Sequence, residues 1–137
     1  MQRTLAIIKP DAVGNHDLGP IIQRIEAAGL EIRALRMVNL TQKEAEGFYA
    51  VHRDKPFFQA LTAFMSSGPA VVLALEGEKA IRRWRDLMGA TDPEKADAGT
   101  LRKDFGASID RNATHGYDAE DTAAYELKFF FRGVEFG

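Results

Sequence analysis

The stretch Asn112–Asp118, NATHGYD, sets one histidine, His115, among small and polar neighbours. Gly116 removes bulk beside the ring, and a neutral imidazole is a capable nucleophile near pH 7. Glu126, one helix further on, could fold back as the carboxylate that fixes the imidazole tautomer. On spacing alone, His115 reads equally well as an ordinary surface histidine. His16 and His52 read better as surface or structural residues. Lys9 ends the apolar run Leu5–Ile8 and precedes Pro10–Asp11. A charge at a strand end is where α+β proteins often place binding groups, although by itself a plain surface lysine is the slightly better reading. Arg85 and Arg102 flank a long loop that contains Thr91 and Thr100. Arginines converging with a lysine would form a phosphate clamp, because guanidinium matches phosphate oxygens in bidentate fashion. Taken singly, solvated helix arginines are the plainer alternative. Phe57 and Phe58 suit a core, though one of them could stack on a base. Glu76 and Glu78 read as strand-end and helix-start charges.

Other chemistries find little support. Gly14 to Gly19 has the G-x-x-x-x-G spacing, but Pro20–Ile21 follows where a P-loop needs Lys–Ser/Thr, and there is no G-x-G-x-x-G. Three histidines without cysteine, and without a His-x-x-x-His pair, make a structural zinc site a poor fit. A net charge of -2 opposes a general nucleic-acid binder. The lack of cysteine excludes disulfides and thiol chemistry and suits the cytosol. No segment approaches the roughly 20 apolar residues of a membrane span, and Leu5–Ile8 is too short for a signal peptide. The expected compartment is the cytoplasm. A chain of 137 residues fits one domain, 1–137, large enough to bury roughly 65–70% of its unfolded surface without a metal or disulfide staple.

Several elements must position these groups. TLAIIKP predicts a buried strand ended by Pro10. Gly19–Pro20 opens a helix, with Leu18, Ile21, Ile22 and Ile25 along one face and Gly29 as its stop. LEIRALRMVNL predicts a second strand whose alternation slips near Ala34–Leu35, as at a bulge. Thr41 and Glu44 have capping-box spacing. KPFFQALTAFM is a further helical piece with Phe57, Phe58, Leu61, Phe64 and Met65 near one side, and Gly68–Pro69 is a turn. AVVLAL has the uniform apolarity of a strand covered on both faces. The next helix, roughly Glu78 to Met88, turns Ala80, Ile81, Trp84, Leu87 and Met88 inward and leaves Arg82 and Arg85 off that stripe. From Gly89 to about Arg111 the chain reads as irregular, and a loop this long in a compact domain is usually functional or disordered. After it come the His115 strand and a short helix capped by Asp118. The order implies an α+β sandwich with a small sheet, covered by helices mostly on one face.

Together these pieces resemble the nucleoside diphosphate kinase family, collinearly and nearly end to end. IIKPDAV, FYAVHRDKPFF, FMSSGPAVVLALEGE, RDLMGATDPEKADAGTLRKDF and NATHGYD follow one another in the family's order. The resemblance implies a ferredoxin-like sandwich, with helices packed on a small antiparallel sheet. It implies ping-pong transfer of the γ-phosphoryl group from a nucleoside triphosphate to a nucleoside diphosphate, with Mg²⁺ carried mainly by the nucleotide phosphates and no direct protein ligand. By similarity, His115 is the nucleophile through Nδ1 and Glu126 holds the other ring nitrogen. Lys9 contacts phosphate and the ribose hydroxyl, Asn112 the sugar, and Tyr49 lies near the transferred phosphate. Arg85, Thr91 and Arg102 bind phosphate, Phe57 stacks on the base, and Ile109 is its apolar counterpart. Asp118 would touch the metal's shell through water. The resemblance implies as partners the nucleotides and further copies of the chain, a tetramer in preference to a hexamer because the longer tail of many hexameric relatives is missing after KFFFRGVEFG, with no nucleic acid and no membrane.

The chain departs from the family pattern at three places. Tyr117 stands where the family has serine, which moves a hydroxyl several ångströms outward. Asn15 replaces a basic residue, and Ala98 replaces a proline in a loop that helps subunit packing. A non-catalytic binding module, or a degenerate family member kept for assembly, are the competing classes. Tyr117 alone favours the latter. At Tyr117 the ring either points away, and activity persists, or crowds His115 and slows transfer. With every other matched residue present, activity that is retained, at full or reduced rate, is the expected outcome. Steady-state turnover of Tyr117→Ser tests the crowding: a gain over wild type supports it, and no gain with an unchanged pocket removes it.

Overall fold

The computed structural model describes residues 1–116. Tyr117, Asp118, Glu126, the helix expected after Asp118 and the terminal aromatic run therefore lie outside the described residues. β1 (Gln2–Ile8) leads into a single helical turn, α1 (Pro10–Gly14), and then α2 (Leu18–Ala27). β2 (Glu31–Val38), α3 (Gln42–Phe48), α4 (Phe58–Met65), β3 (Ala70–Gly77), α5 (Ala80–Met88), α6 (Leu101–Phe105) and β4 (Thr114–His115) follow, with one 3₁₀ turn at Ala50–His52.

The strands form a four-stranded sheet in the order β2-β3-β1-β4, antiparallel at every pairing. This is the α+β architecture the sequence implies. β2 carries its irregularity between Ile32 and Ala34, close to the expected slip. The capping box is complete: the Thr41 hydroxyl accepts from the Glu44 N–H at 3.1 Å, and the Glu44 carboxylate accepts from the Thr41 N–H at 2.9 Å, satisfying two donors that a helix start leaves orphaned.

Helices cover both faces of the sheet, not mainly one. The cause is visible in β1 and β3, which are apolar at consecutive positions and so present hydrocarbon on each side. Leu5, Ile7, Val72 and Ala74 pack with Phe48, Tyr49, Phe58 and Met65 from the α3–α4 side. Ala6, Ile8, Val71, Leu73 and Leu75 pack with Ile21, Ile25, Trp84, Met88 and Leu101 on the other. Phe57 departs from the expected α4 stripe. It is the residue before the helix and is 48% exposed.

The segment expected to be irregular contains a helix. α6 is capped by the Thr100 hydroxyl, which accepts from the Lys103 N–H at 3.3 Å. With five residues it is too short to show helical periodicity in the sequence. Tertiary contacts hold it. Arg24 of α2 pairs with Asp104 at 2.5 Å and lies 5.0 Å over the Phe105 ring. Gly89, with φ +84, lets the end of α5 approach Thr100, where a Cβ would stand 2.6 Å from that side chain. Two contacts thus lock α6, and Arg102 with it, onto the α5 side of the sheet.

Candidate active site

β4 places the histidine. Its short pairing sets His115 opposite Ile7 and Thr114 opposite Ile8, beside the end of β1. Paired residues point to the same side of a sheet, so His115 shares the face of Leu5 and Ile7. There the imidazole meets the Tyr49 ring edge-on at 5.5 Å and the Phe48 ring at 6.4 Å. α3 ends at Phe48 and so delivers both aromatics.

Lys9 is the next residue after β1, on the same face by alternation, and it is buried rather than a surface lysine. Its Nζ donates to Asn112 Oδ1 at 2.9 Å, and the Asn112 amide donates to the Thr91 carbonyl at 3.1 Å. Arg102 is also buried, contrary to the solvated-helix alternative. Its guanidinium donates to the carbonyls of Gly89 at 3.0 Å and Thr114 at 3.1 Å. Arg85 stays exposed on α5, off the buried stripe as expected.

All the predicted site residues within the described stretch line one cleft of about 1390 Å³: Lys9, Tyr49, Phe57, Arg85, Thr91, Arg102, Ile109, Asn112 and His115. Phe57 and Ile109, 48% and 56% exposed, are the large apolar side chains left open at its rim. Glu126 lies outside the described residues. Sequence reasoning missed His52, Asp110 and Arg111 on the same wall. His52 stacks on Tyr49 at 6.5 Å and lies 5.6 Å from Phe57. The one available signal was its spacing, three residues after Tyr49 on a helical turn.

Gly116 has a sharper reason than room for the imidazole. A Cβ there would collide with the Trp84 indole and stand 2.8 Å from the Met88 methyl. Trp84, fully buried, donates its indole N–H to the His115 carbonyl at 3.1 Å. The backbone of His115 and Gly116 is therefore pressed against the core, and glycine is what fits.

Electrostatics suit an anion. Burial, with Lys9, Arg102 and His52 nearby, lowers the His115 pKa from 6.5 to about 3. Burial and Arg102 lower Lys9 to about 8, partly offset by Asp11 and Asp110. The imidazole is thus neutral at pH 7, kept so mainly by its burial, and the positive charge of Lys9 and Arg102 that adds to this effect would attract phosphate.

The comparisons with known proteins fit this geometry. Residues 2–136 match the family model described as nucleoside diphosphate kinase. The chain belongs to the nucleoside diphosphate kinase family. It is 60% identical over 134 residues to the nucleoside diphosphate kinase of Francisella tularensis subsp. mediasiatica, covering 98% of this chain and 96% of that one. It is 55% identical over 135 residues to that of Desulfosudis oleivorans, with coverage of 98% and 97%. Among solved structures, the Aquifex aeolicus nucleoside diphosphate kinase superposes with a TM-score of 0.97 at 45% identity over 99% of each chain. The Halobacterium salinarum enzyme in complex with CDP gives 0.93 at 39% identity, covering 98% of this chain and 90% of that one. The fold is that of the family, and the protein is a phosphotransferase that passes the γ-phosphoryl group of a nucleoside triphosphate to a nucleoside diphosphate through a phosphohistidine.

The low pKa carries a stability cost. The folded imidazole resists protonation down to about 3, whereas the unfolded one takes up a proton near 6.5. Stability is therefore full above pH 6.5 and declines as pH falls between these values. His115→Gln removes that contribution. Urea unfolding at stepped pH should show a shallower acid-side decline in the variant, by at most about 1.4 kcal/mol per pH unit. Parallel slopes would contradict it.

Proposed function

We propose that His115 is the phosphorylated histidine and that the cleft around it holds one nucleotide at a time. The observation that carries this is the convergence of Lys9, Arg85 and Arg102 on the same cleft as a neutral imidazole, beneath two exposed apolar side chains. Phosphoryl transfer needs alignment and stabilisation of charge on the transferring oxygens more than acid–base work. The three cations supply the charge. Nδ1 attacks the γ-phosphorus as the bond to the bridging oxygen breaks, and the nucleoside diphosphate leaves with the electron pair. A second nucleoside diphosphate takes the phosphoryl group back by the reverse displacement. Glu126 fixes the other ring nitrogen in this reading, and Tyr49 packs against the ring close to the incoming phosphate.

Phe57 and Ile109 flank the base without reading its edge, which suits broad base tolerance. Asn112 and Lys9 bind the sugar, with Lys9 also on phosphate, and Thr91 completes the phosphate set. Mg²⁺ fits this donor set as a passenger on the phosphates, since lysine and arginine outnumber aspartate on the wall and Mg²⁺ favours phosphate oxygens and water. Bound there, it would neutralise phosphate charge. Asp110 on the cleft wall offers a carboxylate to its water shell. Among the described residues no group of three or more His, Cys, Asp or Glu is placed to hold a metal, and no helix is long and apolar enough to cross a membrane.

The proposal extends to one domain over 1–137, to the cytoplasm as compartment, and to self-association as a tetramer in preference to a hexamer. Leu35 and Met37, 50% and 53% exposed on the edge strand β2, give an apolar face that a second copy would cover.

Incubation with γ-labelled ATP and Mg²⁺ should yield an acid-labile phosphoprotein that a nucleoside diphosphate discharges. Absence of label, or label persisting in His115→Ala, overturns the assignment. Lys9 adds a pH test. With its pKa at about 8 in the free protein, it carries charge below that pH and loses it above. kcat/KM for the nucleotide should fall on the alkaline side with an apparent pKa near that value. Lys9→Met should be slower throughout and lack that limb; a limb unchanged in the variant would assign it to another group.

A further inference from the structure

Asp11 stands two residues after Lys9, at the start of α1, and its side chain is absent from the wall of the cleft. It nevertheless reaches the nucleophile's segment. Its Oδ2 accepts from the Ala113 N–H at 3.0 Å. From the other side of the same residue, the Lys9 N–H donates to the Ala113 carbonyl at 2.8 Å. Ala113 is fully buried and has φ +73, the left-handed region that costs a non-glycine residue roughly 1 kcal/mol or more. Such a backbone persists only where its surroundings over-determine it. Here three bonds determine it: the two from residues 9 and 11 and, across the turn itself, the Thr114 N–H donating to the Asn112 carbonyl at 2.8 Å. The turn lies between Asn112, which holds Lys9 Nζ, and Thr114–His115, which pair with β1.

We propose that Asp11 is a positioning residue for phosphoryl transfer: by accepting from the Ala113 N–H it fixes the left-handed turn that aims His115, while touching no part of the nucleotide. The proposal rests on His115 as nucleophile. A second property is separable from the first. The Asp11 charge is one of those that keep Lys9 protonated, and that effect acts on nucleotide affinity through Lys9.

Two variants separate geometry from charge. Asp11→Asn keeps an acceptor oxygen at the same reach and removes the charge. Asp11→Glu keeps the charge and moves the oxygens by one methylene. The readouts are the single-turnover rate of His115 phosphorylation by saturating γ-labelled Mg-ATP at pH 7, the nucleotide Kd, and the melting temperature. Asp11→Asn should keep its rate within about threefold of wild type while Kd weakens a few-fold. Asp11→Glu should lose tenfold or more in rate with Kd nearly unchanged. A wild-type rate in Asp11→Glu, or a tenfold loss of rate in Asp11→Asn, overturns the proposal. Should only Asp11→Asn fold, its rate alone decides by the same threshold. Failure of the nucleophile assignment looks different: wild type carries no label, or His115→Ala keeps it.

Discussion

An ammonium has been taken out of water at the end of β1. Burying a cation is costly unless it is hydrogen-bonded and electrostatically compensated. Lys9 meets that demand with the neutral amide oxygen of Asn112 and with the more distant charges of Asp11 and Asp110. Most of the active-site scaffold follows from this arrangement. Asn112 must be held where its oxygen faces Lys9, and the Thr91 carbonyl holds it. The chain must then turn sharply to bring the next residues beside β1, and Ala113 makes that turn in the left-handed region. With Arg102 packed close by, the cluster is short of negative charge. In the proposed site a phosphate would complete it, and binding would relieve an imbalance of charge that folding created.

The two faces of the sheet divide the labour. The α3–α4 side supplies the aromatic bed of the imidazole through Phe48 and Tyr49, and the exposed Phe57 at the cleft rim. The opposite side supplies Trp84, Arg102 and the tether from Arg24 that fixes α6. β4 pairs along the edge of β1, so one residue can present its side chain to the first layer and its carbonyl to the second. His115 does both.

Much of this was legible in the sequence, and the reasons are physical. β1, β3, α2 and α5 have long apolar patterns that match their periods, and Thr41 and Glu44 mark a helix start by chemistry alone. The site residues came from a collinear set of motifs, which no single motif would have supplied. α6 was illegible because five residues show no period and their stability comes from Arg24 and Thr100. The second helical layer was legible in part: AVVLAL pointed to cover on both faces, but a short strand's uniform apolarity does not say which helices provide it. The burial of Lys9 and Arg102 could not be read at all. Charge type predicts exposure, and only the fold shows an exception. Asp11 is legible only as a neighbour of Lys9, because its bond to Ala113 joins residues 102 apart in sequence and leaves no local trace.

Trp84 gives the molecule an optical property. It is the chain's one tryptophan, and its indole N–H is bonded to the carbonyl of His115. Indole emission responds to the polarity and charge around the ring. Every photon excited selectively from tryptophan therefore originates one hydrogen bond from the backbone of His115. The same indole that excludes a side chain at position 116 ties that emission to the surroundings of His115, in unlabelled protein.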